Sequence, residues 1–165
     1  MTLFRTFVAL GSNLGDSAAL VRRAMDRLEA LSTKRLLRSS LWQSTPVDCP
    51  PGSPLFVNAV AALAPHPTET PESLLDRLQD LEYEFGRQPK TILNEPRPLD
   101  LDLIAFGQET MVTPRLTLPH PRAHLRRFVL APLNEIAPEL VLPGRTLSVR
   151  QSLERLASSE AVTRL

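Results

Sequence analysis

Cysteine is nearly missing from this chain. Cys49 is the only one, which excludes an internal disulfide and fits a reducing compartment. No apolar run approaches the roughly 20 residues that span a bilayer. The stretch Phe7-Val8-Ala9-Leu10 is too short for the apolar region of a signal peptide. A cytoplasmic protein without membrane association is therefore expected. Blocks of like charge are also lacking: 19 basic and 18 acidic residues leave a formal charge of +1, which argues against a broad nucleic-acid footprint. Aromatic residues are few, six Phe with one Tyr and one Trp, and carry no aromatic signature of RNA binding. Proline runs the other way. Its 16 residues gather between the regular elements, where they stiffen loops that are otherwise costly to order. The length of 165 residues, without repeat or linker, suits a single domain with a real core.

Residues 3–10 read as a strand, and Gly11-Ser12-Asn13-Leu14-Gly15-Asp16 as the turn into a helix capped by Asp16 or Ser17. Leu20, Ala24, Leu28 and Leu31 supply the apolar stripe of that helix. A second strand is expected over Leu36 to Ser44, a proline-rich loop over Thr45 to Pro54, and a buried strand over Leu55 to Leu63. Thr70 and Pro71 suit the N-cap and first residue of a second helix. Its stripe is Leu74, Leu75, Leu78, Leu81 and Phe85, and Gly86 stops it. The loop from Arg87 to Pro98 then returns the chain to a strand starting near Asp100. The resulting order, βαββαβ, predicts an α+β, ferredoxin-like fold: an antiparallel sheet with both helices on one face. A C-terminal extension follows, with a turn at Leu116 to Arg122 and helices near Phe128 to Ala137 and Ser148 to Ala157.

The most informative stretch is Pro96-Arg97-Pro98-Leu99-Asp100-Leu101-Asp102-Leu103-Ile104. In a strand, residues two apart share a face, so Asp100 and Asp102 point one way while Leu101 and Leu103 enter the core. The repulsion between two such carboxylates falls away if a hard cation sits between them, and magnesium at a phosphate site takes carboxylate oxygens of this kind. Arg97 stands near enough to meet the same polyphosphate. From the pattern alone, a solvated edge face or carboxylates paired with local arginine remain open. By the same period of two, Phe56 and Asn58 share a face and present an aromatic plate beside a carboxamide, which suits a flat heterocycle; ordinary core packing is the competing reading. A basic set, Arg87, Lys90, Arg97, Arg115, His120, Arg122, Arg126 and Arg127, has the forks that grip phosphate oxygens. His120 is held between Pro119 and Pro121. The glycine turn at Gly11 lacks the Lys-Ser/Thr ending of a phosphate loop, and His120 with His124 lacks the further ligands of a zinc site.

Taken together, Val8 to Asp16, Ser44-Thr45-Pro46-Val47, Phe56-Val57-Asn58-Ala59-Val60, Pro96 to Asp102, Leu116 to Arg122 and Arg127 to Leu133 resemble the hydroxymethyldihydropterin pyrophosphokinase family of the folate pathway, in order, from Val8 to about Pro143. The resemblance implies transfer of the β,γ-pyrophosphoryl group of ATP to 6-hydroxymethyl-7,8-dihydropterin with release of AMP, using two magnesium ions. It implies that Asp100 and Asp102 hold the metal and that Arg97 and Arg87 assist the chemistry. It further implies that Phe56 and Phe128 sandwich the pterin, that Ser44, Thr45, Val47 and Asn58 read its edge, and that Gln79, Glu82, Lys90, Leu103, Arg115, Thr117, His120 and Arg126 surround the nucleotide. The implied partners are the two small substrates, with no nucleic acid, and a monomer is expected.

Three positions depart from the family pattern: Pro89 and Asn94 stand where a second arginine and a tryptophan are frequent, and Pro121 where a tyrosine can follow the histidine. Pro89 and Asn94 bear on lid contacts and Pro121 on the nucleotide pocket, while the loops Thr45 to Pro54 and Arg87 to Glu95 are the candidates to close over substrate. The alternative from another class is a non-catalytic ligand-binding or RNA-binding module on the same fold. The near-neutral charge and the paired carboxylates, which repel phosphate without metal, weigh against it.

Overall fold

Apolar runs with a period of two alternate with runs of helical period, and the strands and helices follow that alternation. The protein is described here as a computed structural model in which residues 6–45, 51–52, 54–86, 98–157 and 160–165 are described. The elements are β1 (Thr6–Ser12), α1 (Ser17–Glu29), β2 (Leu37–Arg38), β3 (Trp42–Ser44), β4 (Phe56–Leu63), α2 (Pro71–Glu84), β5 (Asp100–Phe106), β6 (Met111–Val112), β7 (Thr117–Leu118), a 3-10 turn at Ala123–Leu125, α3 (Arg127–Ile136), α4 (Val149–Arg155) and β8 (Val162–Arg164). The class is α+β. All strand pairs are antiparallel, with the main sheet in the order β5-β1-β4-β3-β8, β2 also against β4, and β6-β7 a separate hairpin.

Local chemistry sets the boundaries. Asp16 caps α1, its carboxylate accepting the Ala19 amide at 3.2 Å. Thr70 and Ser73 form a reciprocal capping box ahead of Pro71, a cap of the kind that contributes about 1 kcal/mol. Gly86, at φ 97°, takes the left-handed conformation that ends α2. The buried stripe of α1 is Val21, Ala24, Met25 and Leu28, while Leu20 and Leu31 are half-buried. At about 100° per residue Leu20 lies at the margin of this stripe, and Leu31 lies beyond the last helical residue, Glu29.

The expected turn at Leu116 to Arg122 contains β7, which pairs with β6 in a hairpin that was not expected, and three further strand boundaries differ from expectation. Gly11 and Ser12 belong to β1, not to the turn, because Gly11 pairs with both Asn58 and Asp100 and Ser12 with Val57; residues 3–5 of the expected strand lie outside the described residues. The expected strand Leu36 to Ser44 is broken into β2 and β3. At the break the Ser39 amide donates to the Val60 carbonyl at 2.9 Å, and the Ser39 hydroxyl, in place of a backbone carbonyl, accepts the Val60 amide at 2.9 Å. The third difference is β8, which adds a strand beyond β3.

The sheet is covered on both faces. Val8, Leu10, Ala59, Ala61, Leu63, Leu101 and Leu103 pack against α1 and α2. Phe7, Val60, Ala62 and Ile104 pack against Val129, Leu130 and Leu133 of α3 and Val149 of α4. The C-terminal extension is thus a second layer over the opposite face, and it leaves the Gly11, Phe56 and Asp100 end of that face beside the start of α3. Among the described residues no helix is long and apolar enough to cross a membrane.

Candidate active site

Strand register assembles the site. Asp100 pairs with Gly11, Gly11 with Asn58, Asn58 with Trp42 and Trp42 with Arg164. Laterally paired residues share a face, so these five form one row across β5, β1, β4, β3 and β8. Beside it lie Phe56 paired with Ser44, and Asp102 paired with Ala9. Asp100 and Asp102 therefore stand on the α3 face, both part-exposed, while Leu101 and Leu103 are buried on the other. Gly11 is the low point between carboxamide and carboxylate: a Cβ there meets Asn58 Oδ1 at 3.5 Å and Phe56 Cδ1 at 3.8 Å. A glycine inside a strand pattern is the signal for such close approach.

Asn58 is buried and its Nδ2 donates to Ser44 Oγ at 2.7 Å, which fixes the carboxamide in one orientation. Thr45, exposed, follows at the end of β3, and its amide donates to the Ala161 carbonyl at 3.3 Å. Phe128 stands in the first turn of α3, half-buried against the second core cluster. The Arg126 guanidinium lies 5.4 Å from the centre of its ring, a cation–π contact. Pro132 inside α3 has no N–H to donate to the Phe128 carbonyl.

The His120 amide donates to the Ile104 carbonyl at 2.8 Å, tying its loop to β5. Burial, with Arg126 and Arg122 nearby, lowers the His120 pKa to about 4 against the opposing pull of Asp100. The ring is neutral near pH 7. Its Nδ1 accepts the Arg122 amide at 3.2 Å, so the proton resides on Nε2, a donor suited to a phosphate oxygen.

On the outer side of β5, Arg115 donates to Gln79 Oε1 at 3.0 Å and pairs with Asp76, joining the turn between β6 and β7 to α2. Glu82, buried on α2, accepts the Leu101 amide at 2.8 Å. Thr117 lies in β7 opposite Val112. Leu103 points its side chain into the core, leaving only its backbone to meet a ligand. Val47, Arg87, Lys90 and Arg97 lie outside the described residues, as do Cys49 and the departing positions Pro89 and Asn94. Among the described residues, no group of three or more His, Cys, Asp or Glu side chains comes together as a metal cage. Two carboxylates on one strand face still fit magnesium, which binds through one or two carboxylates and fills its remaining positions with water and substrate phosphate.

The register adds Gly11 and Trp42 to the residues that the sequence singled out for the site. The described members form two groups. Asn58, Ser44, Phe56 and Phe128 suit a flat polar heterocycle, and Asp100, Asp102, His120 and Arg126 suit a metal-bound polyphosphate, with Arg115, Gln79 and Glu82 to its side.

The family described as 7,8-dihydro-6-hydroxymethylpterin-pyrophosphokinase matches residues 7–138. The chain is 44% identical over 145 residues to a 2-amino-4-hydroxy-6-hydroxymethyldihydropteridine pyrophosphokinase of Pseudomonas aeruginosa, covering 87% of each chain. It is 41% identical over 144 residues to one of Haemophilus influenzae, covering 86% of this chain and 87% of the other. It also resembles solved HPPK-DHPS structures, one in complex with substrates (TM-score 0.72, 13% identity) and the wild type of Plasmodium falciparum with pteroate (TM-score 0.71, 13% identity). Each covers 92% of this chain, which spans 43% and 42% of those longer chains. At such identities the likeness is one of fold.

Proposed function

The chain belongs to the 7,8-dihydro-6-hydroxymethylpterin-pyrophosphokinase family and is a pyrophosphokinase of folate biosynthesis, and from that premise we propose that its reaction runs on the sheet face carrying Asn58, Gly11 and Asp100. The observation that carries this reading is their lateral row, which sets a heterocycle-reading carboxamide and a metal-binding carboxylate on either side of a residue without a side chain. The hydroxymethyl oxygen of the pterin attacks the β-phosphorus of ATP and releases its proton to solvent, the bond from that phosphorus to the AMP oxygen breaks, and AMP leaves with that oxygen.

Phe56 and Phe128 stack on the pterin, while Asn58, held by Ser44, pairs with its polar edge; Thr45 and Val47 flank that edge. Asp100 and Asp102 would hold the magnesium, two ions by the family resemblance, which when bound would neutralise the triphosphate and withdraw charge from the β-phosphorus. Neutral His120 donates its Nε2 proton to a phosphate oxygen, and Arg126 adds a fixed positive charge beside it. Gln79, Arg115, Thr117 and the Leu103 backbone border the nucleoside, with Glu82 supporting β5 from behind. Arg87, Lys90 and Arg97 serve as phosphate cations, a role supported by their motif. No covalent enzyme intermediate is required, because positioning and charge neutralisation account for most of such a transfer.

We read the βαββαβ order with α1 and α2 on one face as ferredoxin-like, and the chain as a single-domain, cytoplasmic monomer acting on small molecules. A non-catalytic or RNA-binding module is not favoured, since it leaves the carboxylate pair without a role. Incubation with ATP, magnesium and the reduced hydroxymethylpterin should yield AMP in step with a pterin diphosphate. ADP in its place would overturn the assigned bond cleavage.

A further inference from the structure

We propose that Glu135 is a positioning residue for the pterin slot, holding the helix that carries one wall to the strand that adjoins the other. The inference rests on the pterin reading of the site. Glu135 Oε1 accepts the Ser40 amide at 2.9 Å and the Trp42 indole N–H at 3.0 Å. Its Oε2 accepts the Ser40 hydroxyl and lies 3.6 Å from the Arg164 guanidinium. That guanidinium in turn sits 5.9 Å from the centre of the Trp42 ring. The side chain retains 24% exposure, so water still reaches the carboxylate, and its four donors rather than burial set its environment. Burial alone would raise its pKa, but bonds from Ser40 and Trp42 and the charge of Arg164 outweigh it and hold the pKa below the usual carboxylate value.

Four donors converging on one carboxylate exceed an ordinary surface pair, which contributes little; two come from Ser40 just before β3, one from Trp42 in β3 and one from Arg164 in β8, paired with Trp42. Trp42 is the lateral partner of Asn58, and Ser44, two residues along, is the partner of Phe56 and the acceptor for Asn58 Nδ2. On α3, Glu135 is seven residues beyond Phe128. At about 3.6 residues per turn both project from nearly the same face, about 10 Å apart along the axis. One carboxylate thus registers the Phe128 wall against the Asn58 wall. Pro132 heightens the need for this anchor. It removes the ladder bond to the Phe128 carbonyl, so the turn carrying Phe128 takes less of its placement from the helix itself. Gln79 and Arg115 join the turn between β6 and β7 to α2, which packs on β5 from the other face, and β1 and β4 lie between β5 and β3, which separates the nucleotide from this tie.

The test is calorimetric binding of hydroxymethyldihydropterin, with magnesium and a nonhydrolysable ATP analogue present, and of the analogue alone. Glu135→Ala should raise the pterin Kd about tenfold and leave the analogue Kd nearly unchanged, whereas Glu135→Gln, which keeps an acceptor oxygen, should fall between. Trp42→Phe keeps an aromatic ring, removes the indole donor and should raise the pterin Kd about threefold, so the inference stays testable if Glu135→Ala fails to fold. Equal weakening of both ligands, or an unchanged pterin Kd in a folded variant, would overturn it. Failure of the wild type to form AMP would instead strike the catalytic reading, while the binding ratios still report on the tie.

Discussion

The Glu82 carboxylate accepts the amide of Leu101 at 2.8 Å, at the residue flanked by Asp100 and Asp102. A helix side chain thereby fixes the strand segment whose next residues on either side carry the proposed metal ligands. Glu82→Ala leaves that buried amide without this acceptor and should lower stability by about 1–3 kcal/mol. Glu82→Gln, which retains a carbonyl oxygen, should lose less. Denaturant midpoints of the two variants check this, and equal midpoints for wild type and Glu82→Ala would contradict it.

Gly11 offers a sharper separation of fold from function. Its virtual Cβ makes only ordinary contacts, 3.5 Å to Asn58 and 3.8 Å to Phe56, so Gly11→Ala should fold normally. Gly11→Leu projects a full side chain between Asn58 and Asp100 and should abolish pterin binding. A melting curve and a pterin titration on each variant suffice; tight pterin binding by Gly11→Leu would remove Gly11 from the site.

Much of this arrangement was legible in the sequence, and the failures have physical causes. The alternation through Asp100, Leu101, Asp102 and Leu103 gave the faces directly, because a strand has a period of two. Asp16, Thr70, Pro71 and Gly86 marked helix ends through local side-chain and backbone chemistry. The break at Ser39 was not legible, since a hydroxyl replacing a carbonyl in a ladder leaves no periodic trace. Nor was β8, whose three residues are too short to show a period. The turn preference of glycine points Gly11 to the turn, whereas its pairing with both Asn58 and Asp100 keeps it in the strand. The layer formed by α3 and α4 had a signal that went unused: β4 is apolar on both faces, with Val60 and Ala62 alternating with Ala59 and Ala61, the mark of a strand buried on both sides.

Phe128 and Phe56 are assigned to stacking. Loss of one stacking ring typically costs about 1–3 kcal/mol for a flat base. Phe128→Ala should therefore weaken pterin binding by a comparable amount and leave nucleotide binding nearly unchanged. Calorimetry with each ligand separates the two, and equal weakening would count against the sandwich.

His120 gives a pH signature. Its pKa falls from the ordinary 6.5 to about 4 in the folded protein, so between those values the unfolded chain binds more protons at this site than the folded one. Stability at this site is complete above about pH 6.5 and declines as pH falls towards 4. His120→Gln should show a weaker decline over that window. Urea midpoints collected from pH 7 to pH 4 decide the matter; parallel curves for the two proteins would contradict a neutral, buried His120.

The central claim is that the Asp100 and Asp102 pair organises pyrophosphoryl transfer. The most direct measurement is AMP formation by Asp100→Asn and Asp102→Asn beside the wild type, with ATP, reduced hydroxymethylpterin and a magnesium titration. The account predicts magnesium-dependent AMP matched by pterin diphosphate in the wild type. It predicts a fall of about two orders of magnitude or more in each variant, with the fold unchanged by circular dichroism. Near-normal AMP formation by either folded variant would contradict it.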